Sequence, residues 1–219
     1  MRALGLPWTR QAQRQKRREM SPRVVDPAAR RSAIAEAVFR VVERDGIEQA
    51  SLRTVAAEAG LAIGSIRHYF DSQDDMIVFA AEALCRSVDQ RVLAQSRSLD
   101  EDVRSACTAE RVLIEVLPLD GSRPADAALL VAFTTAARTR PSLTPHTTRL
   151  YDGVRAFCHR VLTAMSESGA VAGDLDLVLE AQRLSSLLSG LVVDGVLHPD
   201  RMPPELSLSL VRRHFESLR

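Results

Sequence analysis

The stretch SLRTVAAEAGLAIGSIRHYF, residues 51–70, decides the reading of this chain. Ser51 is a helix N-cap, because its hydroxyl can take a backbone N–H that the first turn leaves unpaired. A short helix follows through Val55, Ala56 and Ala59, and Gly60 closes it. A second short helix covers Ile63 to Phe70. Small residues are needed where two such helices touch, and Ala56, Ala57, Ala59 and Ala62 supply them. Leu52, Val55, Leu61, Ile66 and Phe70 provide apolar anchors, which leaves Gly64, Ser65, Arg67 and His68 to point outward. Two short helices around a tight turn fit a helix-turn-helix, whose second helix is free to enter a DNA major groove.

The flanks carry the same helical period. Asp26-Pro27 opens a helix, with a capping carboxylate followed by a residue whose missing N–H costs nothing in the first turn. Ile34, Ala37, Val38, Val41 and Val42 form one apolar stripe ending near Gly46. Asp71-Ser72 caps a further helix starting near Asp74. Breakers at Pro118–Pro124, Arg140–Pro145, Gly169–Gly173 and His198–Pro204 divide the remainder into five helical segments. These run from about Glu101 to Leu117, Ala125 to Arg138, Thr147 to Ser168, Leu175 to Leu197 and Glu205 to Leu218. No stretch alternates long enough for a strand, so the expected fold is all-α.

Composition narrows the function. The 219 residues carry 29 basic and 28 acidic groups, a net of +1, and 46% are apolar. That balance reads as a soluble globular chain, expected in the cytoplasm. Asp194 interrupts the richest apolar run, so nothing approaches the roughly 18 residues of a membrane span. Cys85, Cys107 and Cys158 fit no metal spacing and read as reduced, buried thiols. Charge is unevenly placed. Residues 1–25 hold seven basic groups against Glu19 alone, the pattern of a flexible basic arm that binds a polyanion. Met20 just before the helical part leaves open whether residues 1–19 belong to the native start. There is no HExxH, nucleophile elbow or phosphate loop, and the five histidines are scattered. No catalytic residue, metal or cofactor is expected.

The run Ile34-Ala35 … Gly46 … Ser51-Leu52-Arg53-Thr54-Val55-Ala56 … Ala59-Gly60-Leu61-Ala62-Ile63-Gly64-Ser65-Ile66-Arg67-His68-Tyr69-Phe70 … Ser72 closely resembles the N-terminal domain of tetracycline-repressor (TetR) family regulators. More loosely, Leu117-Pro118-Leu119-Asp120 … Phe133 … Ala136-Ala137-Arg138 … Pro141 and Leu184 … Leu187–Gly195 resemble the branch with BetI-like C-terminal domains. The resemblance implies a homodimer that binds a near-palindromic operator on double-stranded DNA, read as a repressor released by an unidentified small molecule. It implies residues 26–80 as the DNA-binding domain behind the arm, and 81–219 as a ligand-binding and dimerisation domain.

Position by position, the resemblance puts Arg53 and Thr54 on phosphates and sometimes a base. Ile63, Gly64, Ser65 and Arg67 then face base edges, with Arg67 suited to guanine O6 and N7. Tyr69 matches a phosphate-contacting aromatic, and His68 is within reach of a phosphate or base. Gln73 stands where the family usually carries a phosphate-gripping lysine. Residues 26–80 hold six basic and nine acidic groups, so the basic arm is expected to supply the missing phosphate charge. Residues 101–168 would form the ligand pocket, with Phe133, Tyr151 and Phe157 as its aromatics and His146, Thr134, Thr135, Arg138 and His159 as polar contacts. Leu184, Leu187, Leu188 and Leu191 with Leu206 and Leu210 would pair two copies in a four-helix interface. Two alternatives remain at this point: a ligand-binding dimer without operator binding, and a helical enzyme.

Overall fold

In the computed structural model, residues 26–97, 113, 117–121 and 123–219 are described; the basic arm and most of the 101–117 segment lie outside them. Among the described residues there are eight α-helices and no strand. The first three form the N-terminal unit: α1 (Pro27–Asp45), α2 (Leu52–Glu58) and α3 (Ile63–Arg67), with a short 3-10 turn at Ile47–Gln49. A long helix α4 (Gln73–Arg97) leads out of it. Then come α5 (Arg123–Ala136), α6 (Thr144–Glu167), α7 (Leu177–Leu197) and α8 (Pro204–Glu216).

The caps follow the local chemistry. Asp26 accepts the Ala28 N–H at 3.0 Å ahead of Pro27. Ser51 Oγ accepts the Thr54 N–H at 3.1 Å. At α4, Ser72 Oγ accepts the Asp75 N–H at 3.0 Å while Asp75 accepts the Asp71 N–H at 3.2 Å. These are paired bonds of the capping-box kind.

Three expected boundaries shift. Pro124 and Pro145 were read as breakers, yet both sit in the first turn of a helix, α5 beginning at Arg123 and α6 at Thr144. Proline has no N–H to lose there, so it starts these helices rather than ending the preceding loops. The recognition segment stops at Arg67 instead of Phe70. Tyr69 and Phe70 donate back to the Ile66 carbonyl at 2.9 and 3.0 Å, and Phe70 turns into the core at 1% exposure.

Two apolar clusters hold the chain. The first joins α1, Val55, Ile66, Phe70 and the first half of α4 to Leu129, Phe133, Ala136 and Leu143. The core under the helix-turn-helix is therefore completed from α5. The second joins Leu113 and Leu117 to α6, α7 and α8 around Leu162, Met165, Leu184 and Val211. Cys158 is fully buried in it, and burial pushes its thiol up to about 12. Cys85 is half-buried, while Cys107 lies outside the described residues.

Candidate nucleic-acid interface and ligand cavity

The turn between α2 and α3 depends on Gly60, whose φ of +65° lies in the left-handed region that favours glycine. Leu61 N–H reaches the Ala56 carbonyl at 2.8 Å and Gly60 N–H reaches that of Ala57 at 3.2 Å. This is the double bond pattern of a Schellman stop. Of the four alanines expected at the helix contact, Ala56 and Ala59 pack into the core, whereas Ala57 and Ala62 face outward. Ile66 is wholly buried and fixes the roll of α3. On the other side, Ile63 (42% exposed), Gly64, Arg67 and His68 are presented to solvent, with Ser65 half-buried.

Arg53 and Arg67 are exposed and make no ion pair among the described residues, so both guanidinium groups stand available. Thr54 is half-buried, its hydroxyl 2.8 Å from Ser51 Oγ within the cap. Tyr69 packs its ring on the core beside His68, the two rings meeting edge-on at 5.1 Å. Gln73 is the first residue of α4 and half-buried.

Several acids of residues 26–80 are paired, and the excess is offset in part from outside the segment. Arg40 and Arg44 both donate to Glu58, at 2.7 and 2.9 Å, and these hydrogen bonds hold its carboxyl below the usual range. Arg140, from the turn after α5, donates to Glu48 at 2.8 Å and to Asp74 at 3.3 Å. A guanidinium from the larger unit thus bridges two acids of the DNA-binding unit and offsets one of their two negative charges.

A cavity of about 230 Å³ opens among α4, α5, α6 and α7. Its wall is mostly apolar, from Val88, Leu117, Leu130, Val131, Val154, Leu188 and Val192. Arg91 and Asp126 form an ion pair at 2.7 Å, and Arg123, Thr134, Thr135, Thr147, Tyr151, Ser185 and Ser189 complete the lining. Tyr151 and Gln182 are joined by hydrogen bonds.

Of the expected ligand contacts, Tyr151, Thr134 and Thr135 line this cavity, and Phe133, Arg138, Phe157, His146 and His159 do not. Phe133 (2% exposed) belongs to the core under the helix-turn-helix, and Phe157 (6%) to the second cluster, where apolar burial claims both rings. Arg138 is exposed in the turn beyond α5. Arg91, Asp126, Ser185 and Ser189 were missed. Arg91 and Asp126 are 35 positions apart on different helices, and no spacing rule connects them.

The leucines of α7 divide similarly. Leu184, Leu188 and Leu191 are at most 3% exposed inside the protomer, so their apolar surface is already spent there. Leu187 and Leu210 are half-buried and Leu206 is exposed. The face that α7 leaves open carries Leu179, Ser186, Gly190, Val193 and Leu197.

Comparison with known proteins places this geometry. Residues 34–78 match the family of bacterial regulatory proteins, tetR family. Residues 105–219, more than half the chain, match the BetI-type transcriptional repressor C-terminal domain. The HTH-type transcriptional regulator PksA of Bacillus subtilis is 31% identical over 200 residues, covering 90% of this chain and 93% of its own. The nicotine-responsive transcriptional repressor HdnoR of Paenarthrobacter nicotinovorans is 38% identical over 86 residues, 38% of this chain and 42% of its own. A transcriptional regulator from Rhodococcus sp. RHA1 superimposes with a TM-score of 0.74 at 26% identity, covering 86% of this chain and 95% of that one. These relatives are regulators, not enzymes. With an exposed recognition helix on a glycine turn and profile matches across both halves, the chain belongs to the tetracycline-repressor family of DNA-binding transcriptional regulators.

Proposed function

We propose that this protein is an operator-binding repressor, working as a homodimer in the cytoplasm and released from DNA when a small molecule fills the α4–α7 cavity. Residues 26–80 act as the DNA-binding domain and 81–219 as the ligand-binding and dimerisation domain. Arg67 and Ile63 read base edges. Arg53, Thr54, His68, Tyr69 and Gln73 meet the backbone, and Gly64 and Ser65 allow close approach. Two copies join through the open face of α7 and through Leu206 and Leu210 of α8. Their two recognition helices must then sit about one DNA turn, roughly 34 Å, apart.

The observation that carries the reading is the double duty of α5. One face, with Asp126, Ala127, Leu130 and Thr134, lines the cavity. The other, with Leu129 and Phe133, completes the core under the helix-turn-helix. Beyond its end, Arg140 grips Glu48 in the turn before α2 and Asp74 in the first turn of α4. A ligand that prefers a shifted α5 would move the DNA-binding unit with it, by as much free energy as it distinguishes the two positions.

The test is titration against the DNA upstream of the protein's own gene, at two salt concentrations, with random DNA as competitor. Binding that survives competitor is the expected result. If neither this DNA nor any sequence from a random pool is retained over competitor, the operator reading fails.

A further inference from the structure

We infer that Arg31 is a further DNA contact, a guanidinium seated on two aromatic rings that takes a phosphate of the operator backbone; this rests on the operator-binding reading. Arg31 lies in the second turn of α1 and is half-buried. Its Cζ is 4.8 Å from the centre of the Phe70 ring and 4.5 Å from that of Phe79. Those rings meet at 5.4 Å with 55° between their planes, so the guanidinium spans the pair. Such faces attract a cation and hold its planar head in one orientation. The Nε is turned inward and buried without an acceptor, out of reach of any outside group. The two Nη groups are not buried, and neither has a hydrogen-bond or ion-pair partner among the described residues.

Residues 26–80 carry nine acidic groups against six basic ones, so a guanidinium on this unit has acids within its neighbourhood. Arg40 and Arg44, on the same helix, both close on Glu58. Arg86, which approaches the Phe79 ring at 5.8 Å, closes on Glu82. Arg31 closes on none. An apolar side chain would suffice to cover the two rings, whereas a cation kept there without a counter-ion is open to an outside anion. Position selects the anion. Phe70 lies three residues beyond the end of the recognition helix at Arg67, and Phe79 in the second turn of α4. In a helix-turn-helix domain the recognition helix fills the groove, and the elements flanking it lie over the sugar–phosphate backbone. A guanidinium where α1, the exit from α3 and the start of α4 meet therefore faces a phosphate, not a base edge. With Nε turned in, the contact is end-on through both Nη groups. The ring seat has already fixed the side chain, so little freedom is lost on binding.

Arg31→Met and Arg31→Gln remove the charge while leaving an unbranched stem over the rings, and Arg31→Lys keeps a charge on the same seat. Each full-length variant is titrated beside the parent on an operator selected from a random pool, over a series of salt concentrations, and its thermal transition is recorded. One lost phosphate contact lowers the salt slope by about 0.9 per half-site. The uncharged variants are therefore expected to bind about eightfold more weakly per half-site at 0.1 M salt, and to match the parent near 1 M. The loss should be the same on operator copies with single base changes, and Arg31→Lys should keep most of the parent's slope. An unchanged slope in whichever uncharged variant is folded overturns the contact and makes Arg31 a cover for the Phe70–Phe79 pair. A loss confined to one base position also overturns it, by making Arg31 a base reader. If the parent itself retains no sequence over competitor DNA, the operator reading falls and this inference with it.

Discussion

Arg67→Ala isolates base readout from every other contribution. Arg67 ends α3, is exposed, and has no ion-pair partner among the described residues. Its removal should therefore leave thermal stability within about 0.5 kcal/mol of the parent, as for surface substitutions away from special features. By contrast Ile66→Ala, one residue earlier and wholly buried, should cost about 2–5 kcal/mol. At the operator, a bidentate arginine–guanine pair accounts for about 1–3 kcal/mol, which is roughly 5- to 150-fold in affinity per half-site. Both half-sites lose it in a symmetric dimer. The assay is anisotropy titration of Arg67→Ala and parent on a selected operator and on copies with each base pair changed singly. The expected result is loss of discrimination at one position per half-site, with the others unchanged. A uniform loss across all sequences, with the salt slope falling by about one per contact, would make Arg67 a phosphate ligand and refute the reasoning. Unchanged binding would remove it from the interface.

Other outcomes follow from single contacts. A Cβ on Gly195 would lie 2.8 Å from Pro118 Cγ, so Gly195→Ala should destabilise the chain by about 1–3 kcal/mol in denaturant melts. A Cβ on Gly190 meets nothing within 4 Å. Gly190→Ala should thus leave the protomer as stable or better, yet weaken self-association in sedimentation if the α7 face pairs two copies. Arg140→Ala should cost only about 0.2–1 kcal/mol per ion pair, because Glu48 and Asp74 are 70% and 58% exposed. It should also weaken operator binding at low salt, because these two acids of the DNA-binding unit lose the one positive charge set against them. His214 is buried, and desolvation, aided by nearby Arg183, holds its pKa below the ordinary imidazole value. The unfolded chain then binds the proton first, so stability should fall as pH drops below about 6.5. His214→Gln should flatten that decline in melts at pH 7.5 and 5.5; equal declines in both proteins would refute it.

The helix-turn-helix was legible because its determinants are local. Ser51 caps within three residues, Gly60 turns the chain where a Cβ is penalised, and the Val55, Ile66 and Phe70 anchors lie within one short segment. Helical periodicity likewise located α5 to α8, and missed mainly where Pro124 and Pro145 begin helices. Periodicity says which residues share an apolar face, but not what that face meets. Leu184, Leu188 and Leu191 share a face that packs inside the protomer, so the stripe left for a partner is the one through Leu179, Gly190, Val193 and Leu197. Phe133 was assigned to a pocket by its place in the chain, yet α5 turns it into the core under the DNA-binding helices. The Arg91–Asp126 pair and the Arg140 bridge to Glu48, 92 positions away, had no local signal at all. Sequence alone settled the family and the recognition helix, since caps, turns and short anchors act within a few residues. Tertiary structure alone decided the cavity lining, the free face of α7 and the charge on the DNA-binding unit, because each depends on helices meeting across long stretches of chain.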